Sequence, residues 1–320
     1  MISQSSGHGA TREQDSPDVR VLLTGVGGQV GGALADLEWP DGYQILKMDR
    51  QQLDLAQPQS VYDIVMAQTP DLIINPAAFT AVDRAEEEED LARIVNGQSV
   101  GELVRAAREL AIPILHVSTD YVFDGNKDGW YVETDQPNPV TAYGRSKLIG
   151  EEHVTGYDQG LVLRTAWVYH SQGANFVKTM RRLAATRSEL SVVADQWGCP
   201  TAAIDLARTI RAISTGPSLG TQHLYHVASP EATTWHEFAS EILQSQLIAG
   251  DIQVHAITTE EYPTPAQRPL NSRLDCTALQ RDFDLQLPDW RESLQQVLNE
   301  LDKAEQTSGV AGAPEQRNAP

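Results

Sequence analysis

The sequence predicts an α/β fold, a doubly wound parallel sheet with a smaller C-terminal lobe interleaved with it. Short β-rich runs alternate with longer amphipathic stretches through the first half, and a glycine-rich turn directly follows the first of these runs. Past about residue 170 the rhythm gives way to shorter pieces broken by Pro200, Pro217, Pro230, Pro263, Pro265 and Pro269.

Residues 1–18 are polar, lack apolar periodicity and end at Pro17 and Asp18, so they are expected to form a disordered leader. Strands are predicted at 21–24, 44–48, 72–75, 114–118 and 161–163. Helices are predicted at 29–37, 60–68, 99–110, 142–154 and 176–185. Such alternation builds right-handed βαβ units, and therefore a parallel, Rossmann-like sheet with helices on both faces. The sheet domain is expected over 19–170 and the lobe over 171–302. The lobe should cover the carboxyl ends of the strands, where ligands of open α/β sheets sit. A disordered tail is expected over 303–320, and no tandem repeat is found.

Composition excludes several functions. A formal charge of −20 over 320 residues repels a phosphate backbone, which argues against nucleic-acid binding. The two cysteines, Cys199 and Cys276, lack CxxC spacing or a histidine cluster, so neither a disulfide framework nor a zinc site is indicated. No secretory leader and no apolar run of ~20 residues is present, which predicts a protein of the cytoplasm that does not span a membrane.

The turn after the first strand carries Gly25, Gly28 and Gly31 at the head of a helix. Glycine there permits a tight turn and close backbone approach to a pyrophosphate, while the helix N-terminus offers free N–H donors. About twenty residues on, the second strand ends in Asp49 and Arg50. The acid suits an adenosine ribose and the arginine a 2′-phosphate, so NADPH is the expected cofactor, with NADH as the alternative.

The fourth strand ends at Thr119, and the next helix carries Tyr143 and Lys147 one turn apart on one face. Reduction of a ketone needs a hydride at carbon and a proton at oxygen. A phenol of pKa ~10 serves at neutral pH if a nearby ammonium favours its phenolate, which is the role expected of Lys147 along with holding the ribose. Thr119 would orient the carbonyl oxygen.

These motifs resemble the extended short-chain dehydrogenase/reductase family, within it the reductases of dTDP-linked keto sugars. The resemblance spans most of residues 20–300. It rests on Thr24-Gly25-Val26-Gly27-Gly28-Gln29-Val30-Gly31, Asn75-Pro76-Ala77-Ala78-Phe79-Thr80-Ala81-Val82-Asp83, Ser118-Thr119-Asp120-Tyr121-Val122-Phe123, Tyr143-Gly144-Arg145-Ser146-Lys147, Leu163-Arg164-Thr165-Ala166-Trp167-Val168-Tyr169, Asp195-Gln196-Trp197-Gly198-Cys199-Pro200 and Arg268-Pro269-Leu270-Asn271-Ser272-Arg273. It implies that Thr119, Tyr143 and Lys147 are the catalytic set. Asp120, Trp167, Thr80 and Val82 would meet the substrate, and Gln29, Val30, Asp54, Leu55, Ala77 and Ala78 the dinucleotide. Arg268 and Arg273 would clamp the substrate diphosphate or make surface pairs, and the run from Glu86 to Asp90 is read as a solvated acidic first turn. The implied reaction is reduction of the C4 ketone of dTDP-4-dehydro-6-deoxy-L-mannose to dTDP-L-rhamnose, a precursor of cell-surface polysaccharide. The implied assembly is a homodimer. Where some relatives place a glutamate that helps bind magnesium at a dimer interface, this chain reads Gly31-Gly32-Ala33-Leu34, so no metal is expected.

Two rival readings stand beside this one. A sugar-nucleotide epimerase or dehydratase of the same fold would keep NAD bound and return the hydride within one cycle. A regulatory subunit resembling that of methionine adenosyltransferase would use the fold for binding alone.

Overall fold

The computed structural model describes residues 19–244 and 252–310. The expected leader, and 311–320 of the expected tail, lie outside the described residues. Strands β1 (Val19–Thr24), β2 (Tyr43–Met48), β3 (Leu72–Asn75), β4 (Ile114–Thr119) and β5 (Gly160–Thr165) alternate with helices α1 (Gln29–Asp36), α2 (Pro58–Gln68), α3 (Val82–Glu87), α4 (Glu89–Arg93), α5 (Ser99–Leu110) and α6 (Ala142–Thr155). A π-helical turn, Ile94–Gln98, joins α4 to α5, and a 3-10 turn, Asp120–Val122, follows β4.

The second half continues with β6 (Val168–Tyr169), α7 (Phe176–Ala184), β7 (Glu189–Val193), β8 (Trp197–Gly198), β9 (Thr201–Ala202) and α8 (Ala203–Ser214). It ends with β10 (Leu224–His226), β11 (Thr233–Thr234), α9 (Trp235–Leu243), β12 (Gln253–Ile257), β13 (Asn271–Ser272), α10 (Thr277–Phe283) and α11 (Trp290–Val310).

The main sheet has six parallel strands in the order β10-β5-β4-β3-β1-β2. Its strands are apolar on both faces because helices cover both. Val21, Leu23, Ile74, Leu115 and Leu163 pack on one side with Leu206 and Ile210 of α8, while Leu22, Ile73, Ile114 and Val162 pack on the other with Val61 of α2 and Leu103 of α5. Full burial of each such side chain contributes about 1.5–3 kcal/mol.

The strand order reverses at the β1/β3 boundary, which opens a crevice at their carboxyl ends. The chain re-enters the sheet after residue 171: β10 pairs with β5, and α8 covers α1 and the first core. The smaller lobe has its own core of Val177, Met180, Phe238, Trp290 and Leu294 and a parallel β7/β12 pair. Helix α11 corrects the expected start of the tail: Leu294, Val297, Leu298 and Leu301 form a buried stripe, and helical backbone runs on through Val310.

Candidate active site

A cleft of about 1390 Å³ lies between the carboxyl ends of the strands and the smaller lobe. At its floor the β1–α1 turn places Gly25 at φ +63°, where a Cβ would stand 2.9 Å from Ala77. A Cβ on Gly31 would lie 2.1 Å from the Gly25 carbonyl oxygen. The glycines thus let turn, helix and β3 close on one another. Gly28 caps α1 without a side-chain bond, so the first N–H groups of the helix remain available to an anion. Gln29, Val30, Arg50, Asp54, Leu55, Ala77 and Ala78 line the same cleft. Gln29 also accepts a hydrogen bond from Asn175 of the smaller lobe at 3.0 Å.

Asp49 stands at the end of β2, beside the cleft wall formed by Arg50. Its Oδ1 accepts from the backbone N–H groups of Gln51 and Gln52 at 2.8 and 3.0 Å, closing a turn, and the residue does not line the cleft. Arg50 does line it, exposed and 3.4 Å from Asp54.

Thr119, Tyr143 and Lys147 all face the cleft. Thr119 ends β4 and caps the 3-10 turn, its hydroxyl donating to Asp120 Oδ1 at 2.9 Å and accepting from the Tyr121 N–H at 3.3 Å. Helix α6 starts at Thr141, whose hydroxyl accepts from the Gly144 N–H at 3.0 Å. Tyr143 packs edge-on against Tyr121 with ring centroids 5.6 Å apart. Lys147, 1 % exposed, donates to the Val117 carbonyl at 2.7 Å and lies 3.0 Å from His116 Nε2.

Burial sets the protonation of these groups. It pushes the Tyr143 phenol above its usual range, with a hydrogen bond shared with Thr119 opposing and the charge of Asp120 adding to the rise. Burial lowers Lys147 to about 7 against the favourable pull of Glu151, and raises Asp120 to about 6 against hydrogen bonds from Ser272 and Thr119. The Lys147 amino group itself is turned to β4, toward Val117 and His116.

Among the expected substrate residues, Thr80, Val82, Asp120, Trp167 and Arg268 line the cleft. Trp167 sits at φ +48°, a left-handed conformation uncommon outside glycine, and stacks on Trp235 with centroids 3.5 Å apart. Arg268 donates to Asp83 at 2.6 Å and reaches Tyr121 Oη at 3.4 Å. Arg273 does not line the cleft: its Nε donates to Asn271 Oδ1 at 2.7 Å and its guanidinium lies 5.8 Å over Trp197. The acidic run is also more than a solvated turn. Glu86 accepts from the Ala142 N–H at 2.9 Å and Glu89 grips Arg145 through both oxygens at 3.0 and 3.1 Å, so together they seat the first turn of α6.

Sequence reasoning missed Ser118, Thr165, Arg187, Trp235, Tyr262 and Thr264, which also line the cleft. Ser118 and Thr165 stood inside quoted motifs, and their buried hydroxyls have no partner among the described residues. The others come from the smaller lobe, and their position there depends on its tertiary packing. No group of three or more His, Cys, Asp or Glu that could hold a metal occurs among the described residues. Among them, no helix is long and apolar enough to cross a membrane.

A glycine turn at a parallel-sheet switch point, with Thr, Tyr and Lys converging beside it, defines a nicotinamide-dependent oxidoreductase of the extended short-chain type. A family model described as the RmlD substrate binding domain matches residues 19–303. The chain is 42% identical over 287 residues to a dTDP-4-dehydrorhamnose reductase of Sinorhizobium fredii, covering 88% of this chain and 97% of that one. It is 40% identical over 296 residues to the Escherichia coli enzyme of the same name, with 88% and 98% covered. A solved dTDP-4-dehydrorhamnose reductase from Clostridium acetobutylicum superposes with a TM-score of 0.83 at 36% identity, over 88% of this chain and 99% of that one. The Bacillus anthracis enzyme, solved in complex with NADP, gives 0.81 at 36% identity with the same coverage. The chain belongs to the dTDP-4-dehydrorhamnose reductase family.

Proposed function

We propose that this chain reduces the C4 ketone of dTDP-4-dehydro-6-deoxy-L-mannose to dTDP-L-rhamnose, with NADPH as the preferred reductant and NADH as the alternative. The observation that carries the reading is the convergence of Thr119, Tyr143 and Lys147 on one cleft beside the glycine turn. Residues 19–170 would hold chiefly the dinucleotide and 171–302 chiefly the sugar nucleotide.

The cleft fits such a cofactor: the uncapped start of α1 offers donors to a pyrophosphate, and Gly31 lets that helix end close on the Gly25 turn that lines the cleft. Arg50 supplies a cation for a 2′-phosphate, and Asp54, Leu55, Ala77 and Ala78 form adjoining walls. When bound, the nicotinamide supplies the hydride.

The residues of the chain supply the rest. Thr119 hydrogen-bonds the ketone oxygen and fixes its direction. Tyr143 gives its Oη proton to that oxygen as the alcohol forms, and Lys147 offsets the phenolate that remains. Asp120 and Trp167 border the sugar, and Arg268 offers a charged fork to the diphosphate once it leaves Asp83.

NADPH oxidation followed at the nicotinamide absorbance, with freshly generated keto sugar and NADH in parallel, tests the reading. Oxidation with formation of dTDP-L-rhamnose supports it. A folded protein that binds NADPH but leaves it unoxidised would overturn the substrate assignment.

A further inference from the structure

Alternation along the parallel strands sends Leu22, Ile73 and Ile114 to one face of the sheet, and the residues two further on, Thr24, Asn75 and His116, follow them to that face. Asn75 and His116 stand opposite each other in the β3/β4 register. All three are buried and polar, Thr24 and Asn75 at the carboxyl ends of their strands and His116 midway along β4. They form a continuous chain: Thr24 Oγ1 to Asn75 Oδ1 at 2.6 Å, Asn75 Nδ2 to His116 Nδ1 at 2.9 Å, and His116 Nε2 to Lys147 Nζ at 3.0 Å. The Ala77 N–H, next to the glycine turn, donates to Thr24 Oγ1 at 3.4 Å. The reaction as derived above uses Lys147 and leaves the other three members unexplained.

We propose that His116 is a positioning residue of the reduction, a neutral imidazole that, with the Val117 carbonyl, fixes the direction and charge state of the Lys147 amino group. The inference rests on the reductase reading and deepens it. An amino group at the end of four methylenes is free to swing unless its bonds are taken up. Val117 O and His116 Nε2 engage two tetrahedral directions of Nζ and hold them toward the sheet. The remaining directions are thereby fixed relative to Tyr143 and the cleft.

The chain also has two consistent polarities. As arranged, Thr24 donates to Asn75 Oδ1, Nδ2 donates to Nδ1, the ring proton sits on Nε2, and Lys147 accepts it as an amine. When Lys147 is an ammonium the order reverses: Nζ donates to Nε2, the ring proton moves to Nδ1, and Asn75 turns its amide to accept it. An imidazolium suits neither order, and burial together with the charge of Lys147 keeps the ring well below its usual range. The charges facing Lys147 are few. Glu151 on its own helix pulls favourably and is itself paired with Arg164 of β5, Tyr143 shares its face, and Asp120 stands on the turn after β4. Glu86 and Glu89, from the neighbouring α3 and α4, are committed to the first turn of α6.

His116→Leu and His116→Gln, compared with the wild type across pH, test the proposal. Leucine removes the acceptor, whereas the glutamine amide reaches the place of Nε2 and restores one. For His116→Leu, kcat should fall about tenfold or more and its alkaline limb should move down by about one pH unit, with substantial rescue in His116→Gln. A folded His116→Leu protein with unchanged kcat and profile would overturn the role, as would equal impairment of both variants. Nitrogen-15 spectra of the wild-type protein without substrate decide the matter if His116→Leu fails to fold. The His116 signal should stay that of a neutral ring, and its proton should move from Nε2 to Nδ1 as pH falls through about 7. One fixed tautomer, or an imidazolium, would refute the proposal. Failure of the wild type to turn over the keto sugar would instead refute the substrate reading alone, because the spectra require no turnover.

Discussion

Glu151 lies one helical turn beyond Lys147, and replacing it with glutamine perturbs both stability and the lysine. Its two oxygens receive Arg164 Nε and Nη2 at 2.9 and 2.6 Å, with each side chain only 3% exposed. Glutamine keeps the volume but removes the charge and turns an NH₂ toward a donor. The guanidinium is then left buried without its hydrogen-bonded carboxylate, a loss that costs about 3–5 kcal/mol. Against a total stability of about 5–15 kcal/mol this is large. Urea unfolding should show it directly, and the paired change Glu151→Leu with Arg164→Met should recover most of it. Lys147 loses its favourable Coulomb partner in the single variant, so its pKa should fall further below about 7 and the alkaline limb of kcat should follow. A Glu151→Gln stability within about 1 kcal/mol of the wild type would refute the assigned burial cost.

Tyr143→Phe keeps the ring packed on Tyr121 but removes the proton donor; kcat should fall by roughly 10²–10⁴ while NADPH affinity, read by fluorescence titration, changes little. Arg50→Ala should raise the KM for NADPH about tenfold and leave that for NADH nearly unchanged, since the charged fork has no partner on the shorter cofactor. Gly31→Ala forces a methyl against the Gly25 carbonyl and should cost about 1–3 kcal/mol in denaturant unfolding, with weaker dinucleotide binding. Asp120→Asn tests the buried acid. The folded pKa of about 6 lies above its ordinary 3.8, so the stability tied to its protonated form is present at low pH and is lost as pH rises through about 6. The variant should therefore gain on the wild type in thermal unfolding as pH rises from about 4 to 6, by up to about 3 kcal/mol, and keep that gain at higher pH, whereas a pH-independent difference would contradict the shift.

The first five strands were legible because each is a short, largely apolar run followed by a longer stretch, and helices such as α2 and α5 carry an apolar stripe; α3 and α4 were not, because they are short and strongly acidic. Strand β10 was not, because three residues after a stretch rich in Pro, Ser and Gly contain too little pattern to signal re-entry into the sheet. The β7/β12 pair is invisible for a related reason, since residues 189–193 meet 253–257 across a long separation in sequence. Within the site, motifs pointed to Thr119, Tyr143 and Lys147 because each stands in a short run whose residue types carry the chemistry, although their partners come from other elements. The local partners of Asp49 and Arg273 were not legible, because bonds to Gln51 and Gln52 in one case and to Asn271 in the other depend on how the loops fold. His116 carried no signal, as a histidine inside a strand acquires meaning only when β3 and α6 close around it.

The upward shift of Tyr143 bears on the direction of the chemistry. A phenol that donates a proton to a forming alkoxide must hold that proton at the working pH, and burial ensures it. The same burial makes the phenolate left behind costly, so the penalty falls after proton transfer and must be met by a cation. Lys147 is the buried cation available on that helix face, but its own desolvation brings it to about 7, where its charge is easily lost. A reductase operating near neutrality therefore depends on the groups that hold the lysine in its charged form. Glu151 acts on it through charge, and His116 and Val117 offer acceptors to its N–H groups. Weakening either contribution should narrow the active pH range from the alkaline side before it abolishes turnover.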